Sequence, residues 1–268
     1  MRSVARTTRS LLAFVLAAVV SPTHVVPHAQ EYRFFKGQTV APVYEGWQRK
    51  PDGSVVMFFG YMNRNYEETP DIPIGANNFF EPGAADRGQP THFLPRRHYF
   101  VFQVPVPKDW DPRRRLTWSL TVNGKTEKVQ GWLQPEWYAD DGVIQMNIGP
   151  GGTPPTNPSN TPPTIGGSPA QTVSLSSPLT ITASANDDGI PRNRRGRGGA
   201  PLGLDVRWIH YRGPGTVTFG TPRASAELGK PVEATTTVRF SAAGTYVLRA
   251  IASDGLFETP HDVPVTVR

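Results

Sequence analysis

Apolar residues in this chain recur every second position, over short runs broken by Gly, Pro, Asn and Asp. That spacing predicts half-buried strands, and no 3.6-residue periodicity runs long enough for a substantial helix. The first pair is Val43 to Lys50 and Ser54 to Tyr61, flanking Pro51-Asp-Gly53. Pro presets φ for a turn, Asp bonds nearby backbone and Gly takes positive φ, so the two runs form a hairpin. The second run, Ser54-Val-Val-Met-Phe-Phe-Gly-Tyr61, is apolar on both faces and predicts a central, buried strand. Positions 63–97 are irregular and rich in Pro, Gly, Asn and Asp, with aromatics interspersed. A loop of this length is functional or flexible, and its aromatics argue that it is packed. Strands resume at His98 to Val104 and at Leu116 to Val122, where Leu116, Trp118, Leu120 and Val122 share a face. Asn123-Gly124 then signals a tight hairpin returning through Lys125 to Leu133.

From Gly149 to Pro163 there is no large apolar residue to bury, and the prolines predict an extended spacer. Alternation resumes with Leu179, Ile181, Ala183 and Ala185, then Val206, Trp208 and His210, then Thr216 to Phe219. Thr237 to Ser241, Thr245 to Ser253 and Pro264 to Arg268 complete the set. Tyr246, Leu248, Ala250 and Ala252 point inward on one of these strands, which turns the charge of Arg249 outward. The fold expected is all-β: two β-sandwich domains, 31–148 and 164–268, joined by a Pro/Gly-rich linker at 149–163, the second one Ig-like. Trp208 is placed like the buried strand-C tryptophan of Ig-type sandwiches, and Tyr246 like their tyrosine corner, with Leu248 where a cysteine is usual.

Composition supports turns over helices: Gly 26 and Pro 28 in 268 residues punctuate strands, and 37% hydrophobic residues suffice for packed cores. Residues 1–29 read as a signal peptide. Arg2, Arg6 and Arg9 form a basic start, and Leu11 to Val20 is an apolar run too short to span a bilayer. The expected location is therefore secreted or periplasmic, with no membrane span once the leader is removed. The absence of cysteine excludes thiol chemistry, disulfides and thiolate metal sites. The formal net charge of +6 misleads, because half of it lies in the leader. Arg192, Arg194, Arg195 and Arg197 then supply four positive charges in one loop, and without them the remainder is near neutral. A nucleic-acid binder spreads its basic residues over a face, so no nucleic acid is expected as partner.

Several constellations can carry chemistry. Asp187-Asp188-Gly189 and Asp254-Gly255 end two strands that run in the same direction, which brings three carboxylates to one pole. Such carboxylates repel unless a cation or an arginine intervenes, and Ca²⁺ favours several oxygen ligands. The competing expectation is ordinary Asp-Gly turn chemistry neutralised by the arginine tract. That tract can itself pair with an anionic polysaccharide or phosphate, or be a solvated loop. Trp137 and Tyr138, beside Pro135 and Glu136, can offer an aromatic platform to sugar, while Trp47 and Trp132 are candidates for the same platform or for the core. His92, His98, His210 and His261 show no metal-ligand spacing and read as satisfied structural histidines. Glu67, Glu68, Asp71, Glu81 and Asp86 crowd the long loop, where two of them can form a hydrolase pair. No nucleophile elbow, phosphate loop or zinc motif occurs, so a catalytic role is not expected.

Trp208 through Gly213-Pro-Gly-Thr-Val-Thr-Phe219, then Thr237 through Ala250 and Ser253-Asp-Gly255, resemble the PKD-like (polycystic-kidney-disease-type) repeats of large secreted bacterial proteins. Their Trp-x-Phe-Gly-Asp-Gly signature is replaced by Trp208-Ile-His-Tyr-Arg-Gly213, which places the module nearer cadherin-like or other Ig-like domains. The resemblance implies an Ig-like fold with calcium at the acidic pole. Residues 31–148 resemble domains of uncharacterised bacterial secreted proteins, which adds no mechanism. The functional expectation is an exported, non-catalytic binding or structural protein of the cell envelope or extracellular space, with envelope proteins or polysaccharide as partners. The alternatives are a carbohydrate-binding accessory protein and a small hydrolase using the long loop.

Overall fold

Strands β1 (Val40–Arg49) and β2 (Val55–Asn63) pair antiparallel around the Pro51-Asp-Gly53 turn. Lys50 N–H donates to the Ser54 carbonyl at 2.8 Å and Gly53 sits at φ +80°, the conformation glycine allows without steric cost. The structure, a computed structural model, describes residues 33–148, 157–190 and 203–268. The expected leader, positions 149–156 of the expected linker and the four arginines of the tract lie outside the described residues.

A short strand, β3 (Asn78–Glu81), lies within the long loop, and β4 (Arg96–Val106) flanks β2, so one sheet runs β1-β2-β4. The second sheet runs β3-β5-β6, with β5 at Leu116–Val122 and β6 at Lys125–Gly131. Its hairpin turns on Asn123 and Gly124 at φ +52° and +72°, the paired positive values of a type I′ turn. Between the sheets Phe59, Phe80, Phe93 and Trp118 are fully buried, and Trp118 Nε1 donates to Asn78 Oδ1 at 3.0 Å. As expected, β2 is buried on both faces. Met57 and Phe59 enter this core, while Val56 and Phe58 pack beneath Ala139 and Ile144. Ile144 belongs to a helix the pattern did not predict, α1 (Asp141–Ile148). Asp140 caps it, accepting from Val143 N–H at 2.8 Å. Eight residues are too few for a helical period to stand out.

The long loop is packed, and buried amides organise it. Asn63 Nδ2 donates to the Glu68 and Phe93 carbonyls, and Asn78 Nδ2 to those of Ile72 and Pro90, at 2.7–3.0 Å. These side chains supply the partners that buried loop backbone must otherwise find in a ladder.

The later strands are β7 (Thr164–Gly167), β8 (Gln171–Val173), β9 (Leu179–Asn186), β10 (Asp205–Arg212), β11 (Val217–Phe219), β12 (Arg223–Ser225), β13 (Val232–Phe240), β14 (Gly244–Ser253) and β15 (Glu258–Val267). They form a sheet β11-β13-β9-β7 facing a sheet β12-β10-β14-β15-β8. This is the strand arrangement of an Ig-like sandwich, with the first strand divided between the sheets. Trp208, Tyr246, Leu248, Ala250 and Val263 fill its core. Tyr246 Oη donates to the Ala242 carbonyl at 2.8 Å, closing a tyrosine corner. We call the two sandwiches the N-terminal and C-terminal lobes; both lie within one compact unit, Arg33–Arg268.

Candidate metal centres and the seam between the lobes

The pairing of β10 with β14 slips between His210 and Arg212. A bulge of this kind re-aims side chains, and here it turns Tyr211 and Arg212 into the long loop of the N-terminal lobe. The Tyr211 carbonyl accepts from Thr91 and His92 N–H at 3.1 and 3.3 Å, and Tyr211 Oη donates to the Gly88 carbonyl at 2.6 Å. Arg212 Nε donates to the Gln89 carbonyl at 2.7 Å, and its guanidinium forks onto both Asp86 oxygens at 3.0 and 2.8 Å. That hydrogen-bonded fork holds the Asp86 carboxyl below its ordinary range.

Arg249 differs from its expected place in solvent. It does point away from the C-terminal core, but the N-terminal lobe covers that face and buries it. It forks onto Asp262 at 2.6 and 2.8 Å, donates to the Val101 carbonyl at 2.7 Å, and lies 3.4 Å from the centroid of the Tyr211 ring. A strand's alternation reports which face a residue takes, not what covers that face. Beside this contact the seam holds a cavity of about 250 Å³, lined in part by Tyr61, His98, Tyr99, Arg207 and Glu258. Arg207 pairs with Glu258 at 2.8 Å, and the neighbouring Arg97 with Glu45 at 2.6 Å.

At the end of β14 opposite the tyrosine corner, β9 and β14 deliver Asp187, Asp188 and Asp254 to one pole, where the charges of Asp254 and Asp188 act on Asp187. The described part of the linker folds onto this pole. Asn160 Nδ2 donates to Asp254 Oδ2 at 2.9 Å, and Thr161 donates through N–H and Oγ1 to Asp188 Oδ2 at 2.9 and 2.8 Å. Asp254 Oδ1 caps the following turn, accepting from Leu256 and Phe257 N–H at 2.6 and 2.7 Å. Two buried oxygens, Asp187 Oδ1 and Asn160 Oδ1, have no hydrogen-bond partner among the described residues. Asn160 is 4% exposed, and because its amide nitrogen is engaged with Asp254, its oxygen is the atom left over. Burial first, then Asp254 and Asp188, pushes the Asp187 carboxyl up to about 6. Orphaned oxygens beside crowded carboxylates are what a hard cation would fill, although among the described residues the three carboxylates do not bring an oxygen each within 4.8 Å of one another. Asn160 belonged to no sequence-level candidate, since an Asn in a Pro-rich linker reads as turn chemistry.

Trp137 and Tyr138 are 44% and 42% exposed. They are not a free pair of rings: Trp137 lies 5.5 Å from the Tyr44 ring, and Tyr138 meets Trp47 edge-on at 5.1 Å. Trp47 Nε1 is committed to the Gln134 carbonyl at 2.7 Å.

Sequence spacing did not reveal one further cluster. Asp71 and His92 face each other across an isolated antiparallel bridge in the long loop, with Asp71 Oδ1 2.7 Å from His92 Nδ1. His210, on β10, stacks on His92 with ring centroids 4.5 Å apart. Among the described residues these three bring a ligand atom each within 4.8 Å of one another, which the acidic pole does not. His210 Nε2 is buried without a partner, so it is not the satisfied histidine expected.

No known family matches the chain, and no curated protein does. Solved structures with some likeness include the S-layer protein SbsC domains 4 and 5, at 16% identity and TM-score 0.27, covering 57% of this chain and 65% of that one. The S-layer protein rSbsC(31-844) gives 12% identity and TM-score 0.27, covering 86% of this chain and 28% of that one. The D00-D0 domain of Intimin gives 11% identity and TM-score 0.26, covering 85% and 100%. Scores this low do not establish a shared fold. The chain thus spans less than two thirds of the length of the first two structures. No helix among the described residues is long and apolar enough to cross a membrane.

Proposed function

We propose that this chain is an exported, non-catalytic binding or structural protein of the cell envelope or extracellular space. Its parts would be a signal peptide (1–29), an N-terminal sandwich (31–148), a linker (149–163) and an Ig-like sandwich (164–268) related to PKD-like modules. One observation carries the reading: the acid-rich long loop, where a hydrolase pair would have to sit, is used to grip the second lobe. Asp86 is forked by Arg212 and Asp71 is bonded to His92, so two of its five carboxylates are engaged at the seam. A rigid two-lobed module presents fixed surfaces to envelope proteins or polysaccharide. Calcium at the pole, held by Asp187, Asp188, Asp254 and Asn160, would fasten the linker to the C-terminal lobe.

The test is cosedimentation of the full chain with envelope extract and with insoluble polysaccharides, in calcium and in chelator, with soluble products assayed in parallel. Retention without turnover is expected. Turnover of any polysaccharide, or retention on neither material, overturns the reading. The exposed Trp137 and Tyr138 favour polysaccharide as a second, narrower reading. Equal retention of Trp137→Ala and the unaltered chain would remove that surface from it.

A further inference from the structure

Asp71, His92 and His210 come from two lobes and, in sequence, from a loop and a distant strand. Two imidazoles and one carboxylate form a donor set that borderline divalent transition metals favour, whereas calcium favours oxygen alone. Three protein ligands leave a position for water, as in open zinc sites. Proximity alone would leave this a hydrogen-bonded pair stacked on a ring. The second observation is His210 itself. It is 5% exposed and its Nε2 has no partner among the described residues. With its proton on Nδ1, a neutral imidazole presents a bare lone pair at Nε2, the orientation a ligating histidine needs. A buried lone pair with nothing to accept is costly unless something fills it.

From this geometry we propose that Asp71, His92 and His210 form a binding site for a divalent transition ion of the zinc class, which pins the long loop of the N-terminal lobe to β10 of the C-terminal lobe. Binding requires small movements. Ligand atoms about 2.0–2.2 Å from one ion must draw in by roughly 1.5 Å from the outer limit of their present spacing. The stacked rings must also turn from their 25° interplanar angle, and the ion replaces the proton shared by Asp71 and His92. An entry path exists on the Asp71 side, whose side chain is 48% exposed. The site is separate from the calcium pole, so it stands or falls independently of the function proposed above.

The test uses the untagged full chain, stripped with chelator and titrated with Zn²⁺ by calorimetry and by thermal unfolding. One zinc per chain and a raised Tm are expected. Loss of an outer-shell partner alone typically lowers metal affinity by about 10–100-fold. Asp71→Asn and His92→Gln should each weaken binding by at least about tenfold, on the same reasoning. Asp71→Asn keeps size and sits at the surface, so its metal-free Tm should match that of the unaltered chain. With Co²⁺ as probe, the visible ligand-field bands should be present in the unaltered chain and lost in Asp71→Asn. Asp187→Asn and excess Ca²⁺ should leave zinc affinity unchanged. Absence of any zinc-dependent shift at millimolar concentration, undiminished affinity in both Asp71→Asn and His92→Gln, or loss of zinc binding in Asp187→Asn would each overturn the site.

Discussion

Two titratable groups, the half-buried Asp187 and the buried His210, give the protein opposite responses to acid. Burial, then Asp254 and Asp188, raises Asp187 from 3.8 to about 6. A raised acid binds its proton more tightly in the folded state, so its contribution is fully present below 3.8 and is lost as pH rises through about 6. Burial, then the neighbouring His92, lowers His210 from 6.5 to about 4. The unfolded chain then takes that proton first, so stability is present above 6.5 and is lost as pH falls toward about 4. Urea unfolding in chelator, between pH 4 and 6.5, should show the two effects partly cancelling. Subtracting the profile of Asp187→Asn, then that of His210→Gln, should expose slopes of opposite sign; equal signs would refute the assignment. Calcium requires the Asp187 carboxylate, so the rise in Tm with millimolar Ca²⁺ should be larger well above pH 6 than below it, and absent in Asp187→Asn.

At the scale of elements, the tyrosine corner and the β10 bulge fix the C-terminal lobe and aim it at its neighbour. Tyr246→Phe removes the bond to Ala242 and should cost about 1 kcal/mol in chemical denaturation. Gly213 packs so tightly on the Tyr246 ring that a Cβ there would collide with it. Gly213→Ala should therefore cost about 1–3 kcal/mol, the range for overpacking, and loosen the Tyr211–Arg212 contact beside it. The corner was legible in the sequence, because Tyr246 sits at a fixed offset in a strand of clear alternation. The bulge was not, because one extra residue leaves no mark on a pattern of period two until the partner strand is known. The capped helix Asp141–Ile148 was likewise invisible, being shorter than the window in which a helical period declares itself.

For the molecule as a whole, the two cores are separate but the seam between them is built from charged forks and buried backbone bonds. Arg249 and Arg212 bridge the lobes directly. The metal-stripped chain should therefore unfold in one calorimetric transition. Arg249→Ala leaves the Val101 carbonyl and Asp262 without their charged donor, a loss of about 1.5–3 kcal/mol per such bond. Combined with Arg212→Ala it should split the transition into two, one for each lobe. A double variant that still melts in a single step would show that the lobes are coupled by something other than this seam.

The sequence by itself determined the longer strands but not the short β3, β7, β8 and β12, together with the hairpins at Pro51-Asp-Gly53 and Asn123-Gly124, the all-β class and the meeting of Asp187, Asp188 and Asp254. All of these follow from local alternation, turn chemistry and the direction of strands. Tertiary structure decided the rest. It buried Arg249, engaged Asp71 and Asp86 at the seam, laid Asn160 over the acidic pole, and set His92 against His210. The physical reason is the same in each case. Period and turn chemistry are written within a few neighbouring residues, whereas these contacts join residues from separate elements. They exist only once two folded faces meet.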